Sequence, residues 1–281
     1  MNPTVRQREL GRRLREQRLG HDLTVEEVAE KLMCSATKIS RLETGTRRPS
    51  LRDVRDLCGV YNVDEATMNE FIELARGARE QVWWTQYEDL NLDPYLGLEE
   101  VAAAITSFTA FYLPALLQTE EYTREAIRKV APKMDPDIYR QRIEVRMRRQ
   151  KVLERKDRPR YHVLLDEAVL LRPVGGPALM VAQIDRILQA EREGKAAIQI
   201  IPFNFGVPAA QDSNFVLLEF DEATKISPTV FVEGLTGNQY LERKAEVDRY
   251  KEAIDYLRYS ALNAHDSVEH MTELRKRYGE Q

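Results

Sequence analysis

The chain has 281 residues, 43% hydrophobic and 31% charged, with a formal net charge of −4. That composition excludes collagen-like, low-complexity and fully disordered chains, and the length fits one to three domains. No apolar run approaches the ~18 residues of a membrane span. MNPTVRQREL carries no secretory signal, and two cysteines make neither a disulfide framework nor a four-Cys zinc site. The expected compartment is a reducing cytoplasm. Charge is uneven: residues 1–63 hold 13 Lys/Arg against 9 Asp/Glu, and the remainder is net −8. A basic end on an acidic body points weakly towards nucleic acid.

In chain order, Leu10 and Leu14 set an amphipathic helix ending near Gly20. Thr24 and Glu27 have capping-box spacing, so a second helix covers 24–32 with Val28, Ala29 and Leu32 inward. Ser35 is the next N-cap. Residues 36, 39 and 42 form the apolar stripe of a helix over 35–44, which Gly45 stops. Two short helices and a turn of about three residues make helix-turn-helix spacing. Thr37, Lys38 and Arg41 are left for a groove, where Arg can pair bidentately with guanine. Arg47 and Arg48 precede Pro49 and suit the phosphate backbone, as does the helix start at Thr24. Helices over 51–61 and 64–78 complete a five-helix, all-α unit. Cys34 and Cys58 read as small buried apolar residues.

The stretch LTVEEVAEKLMCSATKISRLETGTRRP (23–49) resembles the Xre, phage-repressor type of helix-turn-helix, over about residues 5–78. The resemblance implies base contact at Ala36, Thr37, Lys38 and Arg41. Ala36 departs from the usual polar residue there, and its methyl can meet only a thymine methyl. The candidate DNA-binding set is Thr24, Ser35, Ala36, Thr37, Lys38, Arg41, Arg47 and Arg48. The alternative is a helical bundle with solvated arginines.

Residues 81–97, aromatic and acidic, read as a packed linker between a domain over 1–80 and another over 98–281. Val101, Ala104, Ile105, Phe108 and Tyr112 fit a helical stripe stopped by Pro114. Helices follow over 120–131, 135–156, 176–193, 238–262 and 265–277. Short β-rich runs cover 161–166, 197–203, 214–220 and 228–233. The expected fold is therefore multi-domain: an all-α DNA-binding domain, then an α+β regulatory domain with a small sheet and long helices.

GLEE (97–100), FYLPALLQTEEY (111–122), Arg149-Gln150 with Leu153, DEA (166–168), VGG (174–176), IIPFNFG (200–206), FVE (231–233) and ALNAHDS (261–267) occur in order. Together they resemble the C-terminal domain of actinobacterial, antitoxin-like regulators. Ala115 departs from the usual glycine. The resemblance implies a regulator of the kind that governs development or antibiotic production, with a small partner protein encoded nearby.

Asp166, Glu167, Glu219 and Glu233 sit near predicted strand ends, without a catalytic motif to complete them. His21, His162, His265 and His270 are scattered; the last two share a helix without a further ligand. Gly175-Gly176 precedes a helix and reads as a loop or an anion site. No enzyme activity, cofactor or metal is expected. Residues 140–160 hold ten Lys/Arg and three Asp/Glu. This run suits extra DNA contact, an acidic partner or a solvated face. The stripe Tyr250 to Ala261 suits core or a dimer seam. A homodimer is expected because one motif makes few base contacts. The functional expectation is a sequence-specific transcriptional regulator on double-stranded DNA whose C-terminal domain senses a partner or ligand. The alternative is an antitoxin-like protein that neutralises a small partner and binds DNA for autoregulation.

Overall fold

Asn2 caps the first helix by accepting from the Thr4 amide at 2.8 Å, and Pro3 suits the first turn. The computed structural model describes residues 2–90, 94–208, 214–224, 226–234 and 237–281, with 88 and 89 described in backbone alone. These fall into two compact units whose main division lies between Val101 and Ala102; residues within 221–226 group with the first.

The first unit is helical: α1 (Pro3–Gly20), α2 (Val25–Lys31), α3 (Ala36–Glu43), α4 (Leu51–Val60), α5 (Glu65–Gly77) and α6 (Tyr95–Val101). Thr24, Ser35, Ser50 and Asp64 cap the second to fifth helices, each accepting from the backbone three residues on. Their apolar stripes meet in one core of Leu10, Leu14, Val28, Ile39, Leu42, Val54, Leu57 and Phe71. Cys58 belongs to it and Cys34 packs against it; burial pushes the Cys58 thiol up to about 11, so it stays protonated. Trp84, Tyr87, Leu90, Tyr95 and Leu96 are buried.

The second unit is a six-stranded sheet with helices. Its strands are β1 (Ala104–Thr109), β2 (Arg160–Asp166), β3 (Ala197–Ile201), β4 (Phe215–Glu219), β5 (Thr229–Gly234) and β6 (Gly237–Leu241), in the order β3-β2-β1-β4-β5-β6. β1, β2 and β3 are parallel, with Phe108 opposite Leu164; β4, β5 and β6 are joined antiparallel, with Ile105 opposite Leu218. The helices are α7 (Glu120–Val130), α8 (Pro136–Arg149), α9 (Glu167–Leu171), α10 (Pro177–Arg192), α11 (Lys244–Ser260) and α12 (Ala264–Gly279). Val247, Ile254 and Leu257 of α11 close a core with Phe108, Leu164, Phe215 and Val230. Tyr250 and Ala261 pack against that core, so the α11 stripe is core. The fold is multi-domain, with an all-α N-terminal region and an α+β C-terminal region.

Two expected elements are corrected. The stripe from Val101 to Tyr112 is not one helix: α6 ends at Val101, and 104–109 is the central strand β1, buried along its whole length. The long helix expected from 238 begins at Lys244, because 237–241 pairs with β5 as the edge strand β6.

Candidate nucleic-acid interface

The path from α2 into α3 is set by local chemistry. Thr24 Oγ1 accepts from the Glu27 amide at 3.2 Å, and Glu27 Oε2 accepts from the Thr24 amide at 2.7 Å and hydroxyl at 2.9 Å. These bonds hold the exposed Glu27 carboxyl below the usual range. Thr24 is therefore engaged in its own cap, with Glu26 and Glu27 in the same turn. Met33 takes a left-handed φ of 49° and turns the chain, and Ser35 starts α3 by accepting from the Lys38 amide at 3.2 Å.

α3 is fixed from behind. Glu43 is buried and takes both Nε and Nη2 of buried Arg18 on α1, at 2.7 and 2.9 Å; Arg18 Nη1 donates to the Leu23 carbonyl at 2.7 Å. Gly11 lets α1 approach closely, since a Cβ there would lie 2.6 Å from the Glu43 carbonyl oxygen. Gly45 adopts a φ of 64°, and its carbonyl accepts from buried Gln7 at 2.7 Å. Arg18, Gln7 and Gly11 did not stand out in the sequence. The signal was Glu43: an acidic residue at the end of an apolar stripe needs a buried cation.

With Ile39, Leu42 and Glu43 inward, α3 presents Thr37, Ser40 and Arg41 outward, followed by Thr44 and Arg47. Ala36 is half-buried and packs against the core, beside the outward Thr37. Lys38 reaches back to Asp53 at 2.5 Å and ties α3 to the start of α4. Burial alone would raise the Asp53 carboxyl, but hydrogen bonds from Lys38 and Ser50 outweigh it and hold it low. Arg48 is half-buried and Pro49 buried. The Arg41 carbonyl accepts from the Thr46 and Arg47 amides, both at 3.0 Å, which turns the basic loop back beside α3.

Residues 9–71, which contain this geometry, match a helix-turn-helix domain. Residues 92–273 match the family described as a domain of unknown function, DUF5753. The chain belongs to the DUF5753 family. No curated protein and no solved structure matches it. The helix-turn-helix domain marks a DNA-binding regulator. Among the described residues no helix is long and apolar enough to cross a membrane.

Within the DUF5753 region the four carboxylates singled out in the sequence go to separate partners. Asp166 caps α9 by accepting from the Ala168 amide at 2.8 Å. Glu167 lies 3.1 Å from His270 and accepts from the Phe203 amide at 2.8 Å. Glu219 pairs with Lys251 at 2.7 Å, and Glu233 accepts from the Tyr112 hydroxyl at 2.5 Å. His162 Nε2 meets Gln199 at 2.9 Å. His265, Asp266 and Glu269 gather at the start of α12, but all three are exposed and Asp266 already bonds the capping Asn263. Gly176 is the N-cap of α10, with Pro177 next.

Proposed function

We propose that the chain is a sequence-specific transcriptional regulator of the Xre type, acting in the cytoplasm as a homodimer on double-stranded DNA. In this reading residues 1–80 bind DNA, 81–97 link, and 98–281 sense a partner protein or ligand and alter DNA affinity. The observation that supports it is the outward face of α3. Thr37 and Arg41 are exposed on a short helix held from behind by Arg18 and Glu43, with Arg47 exposed on the following loop. Arg41 and Thr37 read base edges in the major groove. Lys38 contributes by exchanging Asp53 for DNA. Arg47 and Arg48 hold phosphates, Ser35 and Thr24 fix the two helix starts beside the backbone, and Ala36 offers a methyl at the edge of the contact.

A fluorescence-anisotropy titration of the full-length protein on the DNA upstream of its own gene, against a shuffled duplex at two salt concentrations, tests this. A large affinity ratio supports specific, autoregulatory binding. Equal, salt-sensitive binding to both duplexes contradicts specific recognition of that DNA and transfers weight to the second reading. That reading is an antitoxin-like role, supported by two tyrosines of α11, Tyr256 and Tyr259, which are 67% and 83% exposed. Large exposed aromatic side chains are a feature of protein-docking surfaces. Co-purification of residues 1–281 with the product of the neighbouring gene tests it.

A further inference from the structure

The sheet reverses direction between β1 and β4. From β1 the chain builds outward through β2 and β3, then crosses back to place β4, β5 and β6 on the other side. β4 runs antiparallel to β1, so the carboxyl end of β1 lies beside the start of β4, with Phe108 opposite Phe215. Here the carboxyl end of β1 leads into residues 110–119, and this loop is unusually well tied. The Ala110 amide donates to Asn214 at 2.9 Å. Buried Gln118 donates to the Leu113 carbonyl at 2.6 Å. Gln150 donates to the carbonyls of Ala115 and Gln118 at 3.0 and 2.7 Å, and Gln183 to that of Leu117 at 2.8 Å.

Onto this rigid loop α8 directs Arg146, whose Nη1 donates to Gln118 Oε1 at 3.2 Å. Gln118 Oε1 also accepts from Thr123 at 2.9 Å, so a shared neutral oxygen receives the guanidinium. Arg142 and Arg149, one turn away on either side, act on Arg146 electrostatically, as do Tyr112 from the loop after β1 and Glu233 near the end of β5. Glu233 is exposed, and its carboxylate is held by the Tyr112 hydroxyl at 2.5 Å. Phe111, beside Tyr112, is 50% exposed. Burial, then the charge of Arg149, pulls the Arg146 guanidinium below its ordinary range. A guanidinium in that state gains more than a surface one from an anion.

We propose that Arg146, set against the loop that follows β1, binds a small organic acid, its anionic group on the Arg146 guanidinium and its apolar body against Phe111. Glu233 is the resident competitor for that charge. The site gives the sensing role proposed above its ligand class, and it divides the basic run 140–160: its middle serves a ligand.

Calorimetric titration of the full-length protein at constant ionic strength tests the site, with benzoate, phenyl phosphate and neutral benzamide as probes. Saturable binding of either anion, without binding of benzamide, is expected, and which anion binds assigns carboxylate or phosphate. Arg146→Gln weakens that binding at least tenfold, and Glu233→Gln tightens it several-fold. No saturation with either anion, equal binding of benzamide, or unchanged binding in folded Arg146→Gln overturns the proposal. If Arg146→Gln does not fold, Glu233→Gln decides: tighter binding supports the site and unchanged binding overturns it. Repeating the DNA titration with the bound anion separates the two readings. An anion that binds without changing DNA affinity supports the site and overturns ligand sensing. DNA affinity that responds only to a partner protein, with no anion bound, overturns the site alone.

Discussion

Arg18 in the helical unit and Arg146 in the sheet unit are both held largely out of water, and they are satisfied in opposite ways. Arg18 has a full carboxylate, Glu43, on two of its nitrogens and a carbonyl on the third. The Glu43 hydrogen bonds lead its environment and raise its pKa. Arg146 has a shared neutral amide oxygen, like-charged neighbours and a depressed pKa. A completed pair is scaffold: it fixes where α3 lies and offers nothing to a ligand. An incompletely paired cation held by a helix against a well-tied loop keeps interaction energy in reserve for an arriving anion.

Removing the nearby carboxylate in each unit is the strongest way to break this comparison. Glu43→Gln strands a buried guanidinium, and the expected loss is about 3–5 kcal/mol, a large part of the stability of a small domain. Glu233→Gln removes an exposed carboxylate, and its expected cost is below about 1 kcal/mol. Urea unfolding of both full-length variants, followed by circular dichroism, measures the difference. Similar losses in the two would show that Glu233 is structural and that the contrast fails.

Readout and scaffold separate further on α3. Arg41→Ala should leave urea unfolding unchanged, cost about 1–3 kcal/mol on the specific duplex and relax specificity. An undiminished affinity ratio over shuffled DNA would remove Arg41 from recognition. Gly45→Ala should do the reverse. Its left-handed φ costs about 1–2 kcal/mol for an L side chain, and the new Cβ would lie 2.9 Å from Arg8 Cγ. Stability falls, while DNA bound at saturation keeps its sequence preference. A changed preference would mean that the loop after α3 sets the reading angle.

The first unit was largely legible in the sequence because its signals are local: caps at Thr24 and Ser35, and stripes such as 36, 39 and 42. β1 was misread for a physical reason. AITSFT is buried on both faces, so it lacks the alternation of a half-buried strand, and Ile105 and Phe108 also satisfy a helical period. β6 (GNQYL) is a largely exposed edge strand with no apolar face to mark it. The position of Arg146 was invisible, because a run of arginines reads as a solvated face until the fold sets one of them against Gln118. The half-burial of Ala36 was legible in the stripe, whereas the family resemblance pointed that residue at the bases.

The smallest effect tests the same principle on a group that can lose its charge. His162 on β2 sits where protonation is opposed: burial first, then Arg258, pull its imidazole below the usual range, against a partial offset from Gln199. Arg258 donates to Nδ1 from Nε at 3.3 Å and Nη2 at 3.2 Å, so Nε2 carries the proton and donates to Gln199 at 2.9 Å. Unlike Arg146, His162 answers a neighbouring cation by remaining neutral. The unfolded chain takes up a proton below about pH 6.5 that the folded chain refuses. Its contribution is therefore complete above that pH and is lost as the pH falls below it. Urea midpoints at about pH 7.5 and 5.5 should drop more for the wild type than for His162→Gln, which can accept from Arg258 but cannot titrate. Equal drops would place the acid sensitivity on other groups and contradict a neutral His162 held between Arg258 and Gln199.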